Sequence, residues 1–200
     1  MDDFYIENRH LNIKKVIIIS IILAIILVSI IILVVKKVSK TEENMQVQVN
    51  DTSSTFYSSD NTFSIEISNS FGLKPYSSEL GYLLELRSDD NLNIFISKEN
   101  IIQNKNLSEI IEADKIAYLE NFDSYSNLSE TKELSVNNNP GYTYSFHYLD
   151  KTLNQAFYLQ VTWLQVGNEF YIFDIEFPLD DLSFNTNISS SVLASFKILN

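Results

Sequence analysis

The run from Val16 to Val35, VIIISIILAIILVSIIILVV, contains no charged residue, and Ser20 and Ser29 are its only polar side chains. A helix rises about 1.5 Å per residue, so this stretch is about 30 Å long, the thickness of a bilayer's hydrocarbon core. Lys14 and Lys15 precede it, and Lys36, Lys37 and Lys40 follow it. The reading is a single-pass transmembrane helix over 16–35, its side chains against membrane lipid. It is preceded by a short polar tail at 1–15 and followed by a juxtamembrane tether at 36–60 and a soluble domain at 61–200.

Two alternatives fit the run less well. A cleaved signal peptide has a shorter apolar stretch and small residues at its end, whereas here Val34-Val35-Lys36-Lys37 follows directly. A buried soluble helix needs a distinguishable inner face, and nothing in the run supplies one. Direction is open, because Arg9, Lys14 and Lys15 on one side balance Lys36, Lys37 and Lys40 on the other. The expectation is a tail inside the cell membrane and an extracytoplasmic domain outside it. No small-residue face marks the helix as a dimer seam.

The net charge of −12 is divided unevenly: residues 1–40 hold six Lys/Arg and three Asp/Glu, leaving eight against twenty-three in 41–200. A domain that acidic repels nucleic acid, which is not expected as a partner, and attracts cations or a basic protein. There is no cysteine. Disulfides, thiol catalysis and cysteine-ligated zinc or iron–sulfur sites are thereby excluded. A hydrophobic core has to hold the fold unaided.

Residues 36–60 are rich in Ser, Thr, Asn and Asp and read as tether. Phe63–Ile67 alternates as a strand. Tyr82–Arg87 and Leu92–Ser97 form a hairpin closed by Ser88–Asn91. A helix is expected over 107–122, opened by Asn106, with Leu107, Ile110, Ile111, Ala117, Tyr118 and Phe122 inward and Asp114 interrupting the stripe. Glu109, Glu112, Lys115 and Glu120 are expected on the wet face.

Three segments then alternate with period two. Tyr142, Tyr144, Phe146 and Tyr148 share one face against Thr143, Ser145 and His147. Phe157, Leu159, Val161 and Trp163 oppose Tyr158, Gln160 and Thr162. Tyr171, Phe173, Ile175 and Phe177 oppose Asp174 and Glu176. The pattern predicts an antiparallel meander with one buried, aromatic-rich face, its first turn at Asn138–Gly141. Ile188, Val192, Leu193 and Phe196 outline a short closing helix. The fold class is α+β: an antiparallel sheet covered by one long helix and a short C-terminal helix.

The order of elements, the opening Asn61–Ile67, the strand Gly141–Phe146 and the closing Val192–Ile198 resemble the PsbP/Mog1-like domains over residues 60–199. Where that family often has a P-x-x-W pattern after the first strand, this chain reads Ser68-Asn-Ser-Phe71, without the proline. The resemblance implies a non-enzymatic module that binds or steadies a larger assembly, as photosystem subunits and a small-GTPase partner do.

Catalytic signatures are missing. His10 and His147 are the only histidines, and no G-x-S-x-G elbow or phosphate-cradling glycine loop occurs. Asp89-Asp90, Asp180-Asp181 and the i, i+2 pair Asp174 and Glu176 are the acidic pairs; the last points to one side of a strand and is the candidate metal pair. The aromatic stripe is read as core, with a ligand cleft as the other reading. No cofactor and no catalytic residue is assigned. Two function classes follow: a membrane-anchored, non-enzymatic binding or assembly module, and a surface hydrolase or divalent-cation-dependent enzyme using carboxylates such as Asp174 and Glu176. The second would need a pocket where Asp174, Glu176 or His147, itself read as a surface histidine, converges with a second polar cluster.

Overall fold

The computed structural model describes residues 46–77, 80–101, 107–122 and 124–199. The transmembrane reading of Val16–Val35, its direction, His10 and the Asn106 cap lie outside these residues. Among the described residues no helix is long and apolar enough to cross a membrane.

In chain order the elements are β1 (Val47–Val49), β2 (Ser53–Tyr57), β3 (Phe63–Ser68), β4 (Lys74–Pro75), β5 (Leu84–Arg87), β6 (Asn93–Asn100) and helix α1 (Leu107–Leu119). There follow β7 (Tyr125–Ser126), β8 (Lys132–Val136), β9 (Asn139–Asp150), β10 (Gln155–Val166), β11 (Glu169–Pro178), helix α2 (Leu182–Ser195) and β12 (Lys197–Ile198). They build two antiparallel sheets. The larger has the order β4-β5-β6-β11-β10-β9-β7, with β8 also on β9; the smaller is β1-β2-β3-β12.

The meander is where the alternation places it. Short connections hold its register, two residues between β8 and β9 and between β10 and β11, and four between β9 and β10. Asn137 and Asn138 both take positive φ, 51° and 68°, which a tight hairpin of this twist requires and Asn tolerates. This turn precedes Pro140 and Gly141, which belong to β9 and not to the turn expected at 138–141. Gly167 at φ 60° turns β10 into β11.

The single buried face is corrected to two. In register, Tyr142, Tyr144 and Phe146 stand beside Trp163, Val161 and Leu159, and these beside Ile172, Asp174 and Glu176. The apolar series of β11 (Tyr171, Phe173, Ile175, Phe177) therefore points to the opposite side from the apolar series of β9 and β10. One core lies on the β11 side. There Phe173, Ile175 and Phe177 pack with Phe56, Phe63 and Ile65 of the small sheet and with Ile188, Val192 and Phe196 of α2 and its end. The other lies under α1 and holds Ile111, Tyr144, Phe146, Leu159, Val161 and Trp163. A central strand covered on both sides loses clean alternation, and Phe170 to Asp174 are all buried.

Three further expectations change. Residues read as tether supply β1 and β2, and Phe56 is 2% exposed. The C-terminal helix is not short: α2 spans 14 residues and α1 spans 13. On α1 the inward stripe is Ile110, Ile111, Asp114, Lys115, Tyr118 and Leu119, with Phe122 just past its end, so Lys115 is buried and Ala117 is exposed. The spacing is still helical; the charges sit inside it.

Candidate functional site

A helix stripe containing both Asp114 and Lys115 faces a sheet that offers Asp174 and Glu176, and each charge needs a partner. Lys115 Nζ donates to the Ser129 carbonyl (3.3 Å) and the Thr131 hydroxyl (3.2 Å). It lies 3.7 Å from Glu112 and 5.5 Å above the Tyr144 ring. Thr131 in turn donates to Glu112, which locks this corner of the helix. Asp114 is pushed up to about 6 by burial and then by the negative charge of Glu99, with the Trp163 indole opposing.

Asp174 lies deeper. It is 7% exposed, between Val161 and Phe95 in register, and the Tyr118 hydroxyl donates to its Oδ2 at 3.3 Å. Oδ1 has no hydrogen-bond partner among the described residues. Burial pushes Asp174 up to about 7; Tyr118 pulls it down, and Asp114 and Glu176 add to the rise. Two residues along the strand, Glu176 accepts from the Tyr148 hydroxyl (2.7 Å) and the Asn93 amide (2.8 Å).

One strand beyond β6, Glu85 of β5 stands opposite Phe95 and is 2% exposed. Arg87 holds its Oε1 through Nε (2.6 Å) and Nη2 (2.5 Å), while Oε2 has no partner among the described residues. The guanidinium lies over the rings of Tyr76 (4.3 Å) and Phe95 (5.9 Å). Phe95 thus has a buried carboxylate in register on each side. The Tyr82 ring packs on Phe95 at 5.0 Å, and its hydroxyl is held above its ordinary value by burial and then by Asp174, Glu85 and Glu176. Burial and then nearby carboxylates (Asp174 for Tyr118, Asp114 and Asp174 for Tyr144, Glu176 for Tyr148) push these hydroxyls up as well, so they stay protonated. Tyr118 and Tyr148 donate to Asp174 and Glu176, while the Tyr144 hydroxyl has no partner among the described residues.

This seam of carboxylates and phenols can accept a cation, or hold a proton on Asp174 near neutral pH. Asp174 and Glu176 do share a face, but that face is covered and not wet. His147 is on the other side of the sheet, paired with Tyr158, so the structure does not bring it to the carboxylates. No group of three or more His, Cys, Asp or Glu among the described residues is arranged to hold a metal. Asp89 is in the exposed hairpin loop, 3.1 Å from Lys74, and Asp90 and Asp180 are also exposed. Glu85, Arg87 and Tyr82 were not singled out from sequence. The signal available was a lone acid inside Leu-Leu-Glu-Leu-Arg, where an i, i+2 Arg shares its face.

No protein-family model matches the chain, and no curated sequence matches it. Solved structures do. PsbP (CyanoP) of Synechocystis aligns with 76% of this chain and 95% of its own, at 12% identity and a TM-score of 0.59. LpqN of Mycobacterium tuberculosis, described as involved in cell envelope biogenesis, aligns with 80% of this chain and 95% of its own at 9% identity and a TM-score of 0.52. The Ran-binding protein Mog1p of Saccharomyces cerevisiae aligns with 78% and 97%, at 11% identity and a TM-score of 0.50. The fold is an antiparallel, sheet-rich one resembling PsbP and Mog1.

Proposed function

We propose that this chain is a single-pass cell-membrane protein, anchored by Val16–Val35, whose extracytoplasmic domain is a non-enzymatic binding or assembly module for a basic protein partner. The observation that carries the reading is the pair Glu85 and Asp174. Both are almost wholly buried on one side of the sheet, and each has a carboxylate oxygen without a partner among the described residues. Unpaired buried acceptors cost free energy, and a partner that opened the seam would let its lysine or arginine satisfy them. The likeness in fold to a Ran-binding protein and to an envelope-biogenesis protein supports a binding role.

The test is site-specific photo-crosslinking of the full-length protein in its native membrane. A photoreactive residue at Tyr82 should give one discrete adduct, reduced at least fivefold by Glu85→Gln with Asp174→Asn, on the order of 1 kcal/mol. The same residue at Ile116, 61% exposed on the outward side of α1, should give none. Equal labelling from both positions ends the proposal. Protease added to intact cells should remove the domain if it faces outward.

The hydrolase reading draws on Asp174, an acid pushed up to about 7. That reading would need a second polar group converging on Asp174, and His147 lies on the other side of the sheet.

A further inference from the structure

Phe95 of β6 lies in register between Glu85 of β5 and Asp174 of β11, so all three side chains stand on the α1 side of the sheet. The two carboxylates are almost inaccessible, while Phe95 between them is only half-buried. Two side chains of the β5 region meet the Phe95 ring. The Arg87 guanidinium lies 5.9 Å from its centroid and the Tyr82 ring 5.0 Å. They come from opposite ends of the strand, Arg87 after Glu85 and Tyr82 before it.

Arg87 shows what such a place holds. Its Nε and Nη2 donate to Glu85 Oε1, and its plane lies against Tyr76 and Phe95, a carboxylate and rings together. One guanidinium leaves half of the acceptors unused. Glu85 Oε2 has no partner among the described residues, and neither has Asp174 Oδ1 across Phe95. The backbones that carry them are two strand spacings apart, roughly 10 Å. A guanidinium with a hydrogen bond at each edge spans about 8 Å and an ammonium about 6 Å, so the planar fork reaches both acids with less leaning.

Both oxygens are shut off from water, and entry needs a moving part. Lifting α1 would uncover Phe146, Leu159, Val161 and Trp163, an apolar area far larger than one ring. Tyr82 is the smaller movement. It is a half-buried side chain just outside β5, packed on Phe95, and the charges that act on its hydroxyl are Asp174 first, then Glu85 and Glu176. Turning this one side chain away clears the face of Phe95 on the side that Arg87 does not occupy.

We propose that Phe95 is the floor of a guanidinium site gated by the Tyr82 ring, in which one arginine of the partner bridges Glu85 and Asp174. This rests on the binding role proposed for the domain and narrows the basic partner's contact to a single arginine side chain. With the ring turned out, the arginine stacks on Phe95 and donates to Glu85 Oε2 on one edge and Asp174 Oδ1 on the other.

The experiment uses the full-length protein in phosphatidylcholine nanodiscs at pH 8, above the value of about 7 to which Asp174 is pushed. Saturation-transfer NMR reads the binding of N-acetyl-argininamide and N-acetyl-lysinamide, with empty nanodiscs as the blank. Tyr82→Ala removes the gate and should bind the arginine probe saturably in the millimolar range, at least fivefold tighter than the parent and threefold tighter than the lysine probe. Tyr82→Phe keeps the ring and should match the parent within twofold. Tyr82→Ala combined with Glu85→Gln and Asp174→Asn should lose saturable binding. Unchanged Trp163 emission verifies folding; if Tyr82→Ala fails that check, Tyr82→Leu takes its place with a gain of at least twofold. Three results overturn the proposal: no gain over the parent in the folded gate variant, binding that survives loss of both carboxylates, or a preference for the lysine probe. Photo-crosslinking from Tyr82 tests the binding role separately. A carboxylate-dependent adduct beside any of these three results keeps that role and removes the guanidinium site.

Discussion

The Tyr118 hydroxyl of α1 donates to Oδ2 of Asp174 on β11 across 3.3 Å, a polar tie between helix and sheet at a place that water barely reaches. Its consequence is electrostatic. The ordinary value of such an acid is 3.8, and burial outweighs the Tyr118 bond to bring Asp174 to about 7.

Stability should therefore fall as pH rises. The folded-state value lies above the unfolded one, so between about pH 4 and about pH 7 the folded chain keeps a proton that the unfolded chain has released. Asp174 is least costly at the acid end of that window, and the cost grows until pH passes about 7. The full displacement corresponds to roughly 4 kcal/mol, and Asp114, pushed up to about 6, acts in the same direction. Asp174→Asn should flatten the dependence and raise stability at about pH 8 by roughly 1–3 kcal/mol. Urea unfolding followed through Trp163, the only tryptophan in the chain, reads this seam directly. A variant with the parent's pH profile would contradict the assignment.

Arg87 is the described partner of a nearly inaccessible carboxylate, and losing it should cost more than an exposed ion pair normally does. Arg87→Met leaves Glu85 buried and unpaired and is expected to destabilise by about 2–4 kcal/mol. Adding Glu85→Gln removes the stranded charge and should recover more than half of that loss. The unfolding midpoints of the parent, both single variants and the double variant close the cycle. If the two substitutions simply add, Arg87 is not what neutralises Glu85.

Phe56 separates two readings of the polar segment before the domain. A tether residue changed to alanine has an effect within about 0.5 kcal/mol. Phe56 is 2% exposed and packs in the same core as Phe63, Phe173 and Phe196, so Phe56→Ala should cost about 3–5 kcal/mol. A thermal midpoint unchanged by the substitution would return β1 and β2 to the tether.

What could be read from sequence follows from how each element is buried. The meander was legible because long antiparallel strands advertise period two, and Tyr144, Phe146, Leu159, Val161 and Trp163 do lie under a helix at residues 107–119. The side of β11 was not, because Tyr171, Phe173 and Ile175 repeat the same pattern while pointing away; register decides the side, and register depends on pairing. Strand β2, SSTFY, is polar where it is half-buried, so composition resembled a linker. Asp174 and Glu176 were visible as a same-face pair, but their burial depends on α1 lying above them. Glu85 and Tyr82 join the site only through the β5–β6–β11 ladder, which no local pattern announces.

Gly141 is a last place where pairing makes its demand on one residue. It sits in β9 between Leu134 of β8 and Leu164 of β10. A Cβ built there would stand 2.5 Å from the Trp163 carbonyl oxygen and 3.2 Å from a methyl of each leucine. The methyls can give way; a backbone oxygen in a paired strand cannot without opening the ladder. Gly141→Ala should therefore destabilise by about 1–3 kcal/mol although it is the smallest addition possible. The damage should be local, with faster amide exchange in β9 and β10 near Trp163 and a red-shifted Trp163 emission in the folded state. A variant with parental emission and exchange would mean that β9 and β10 do not approach as closely as Leu164 and Gly141 do here.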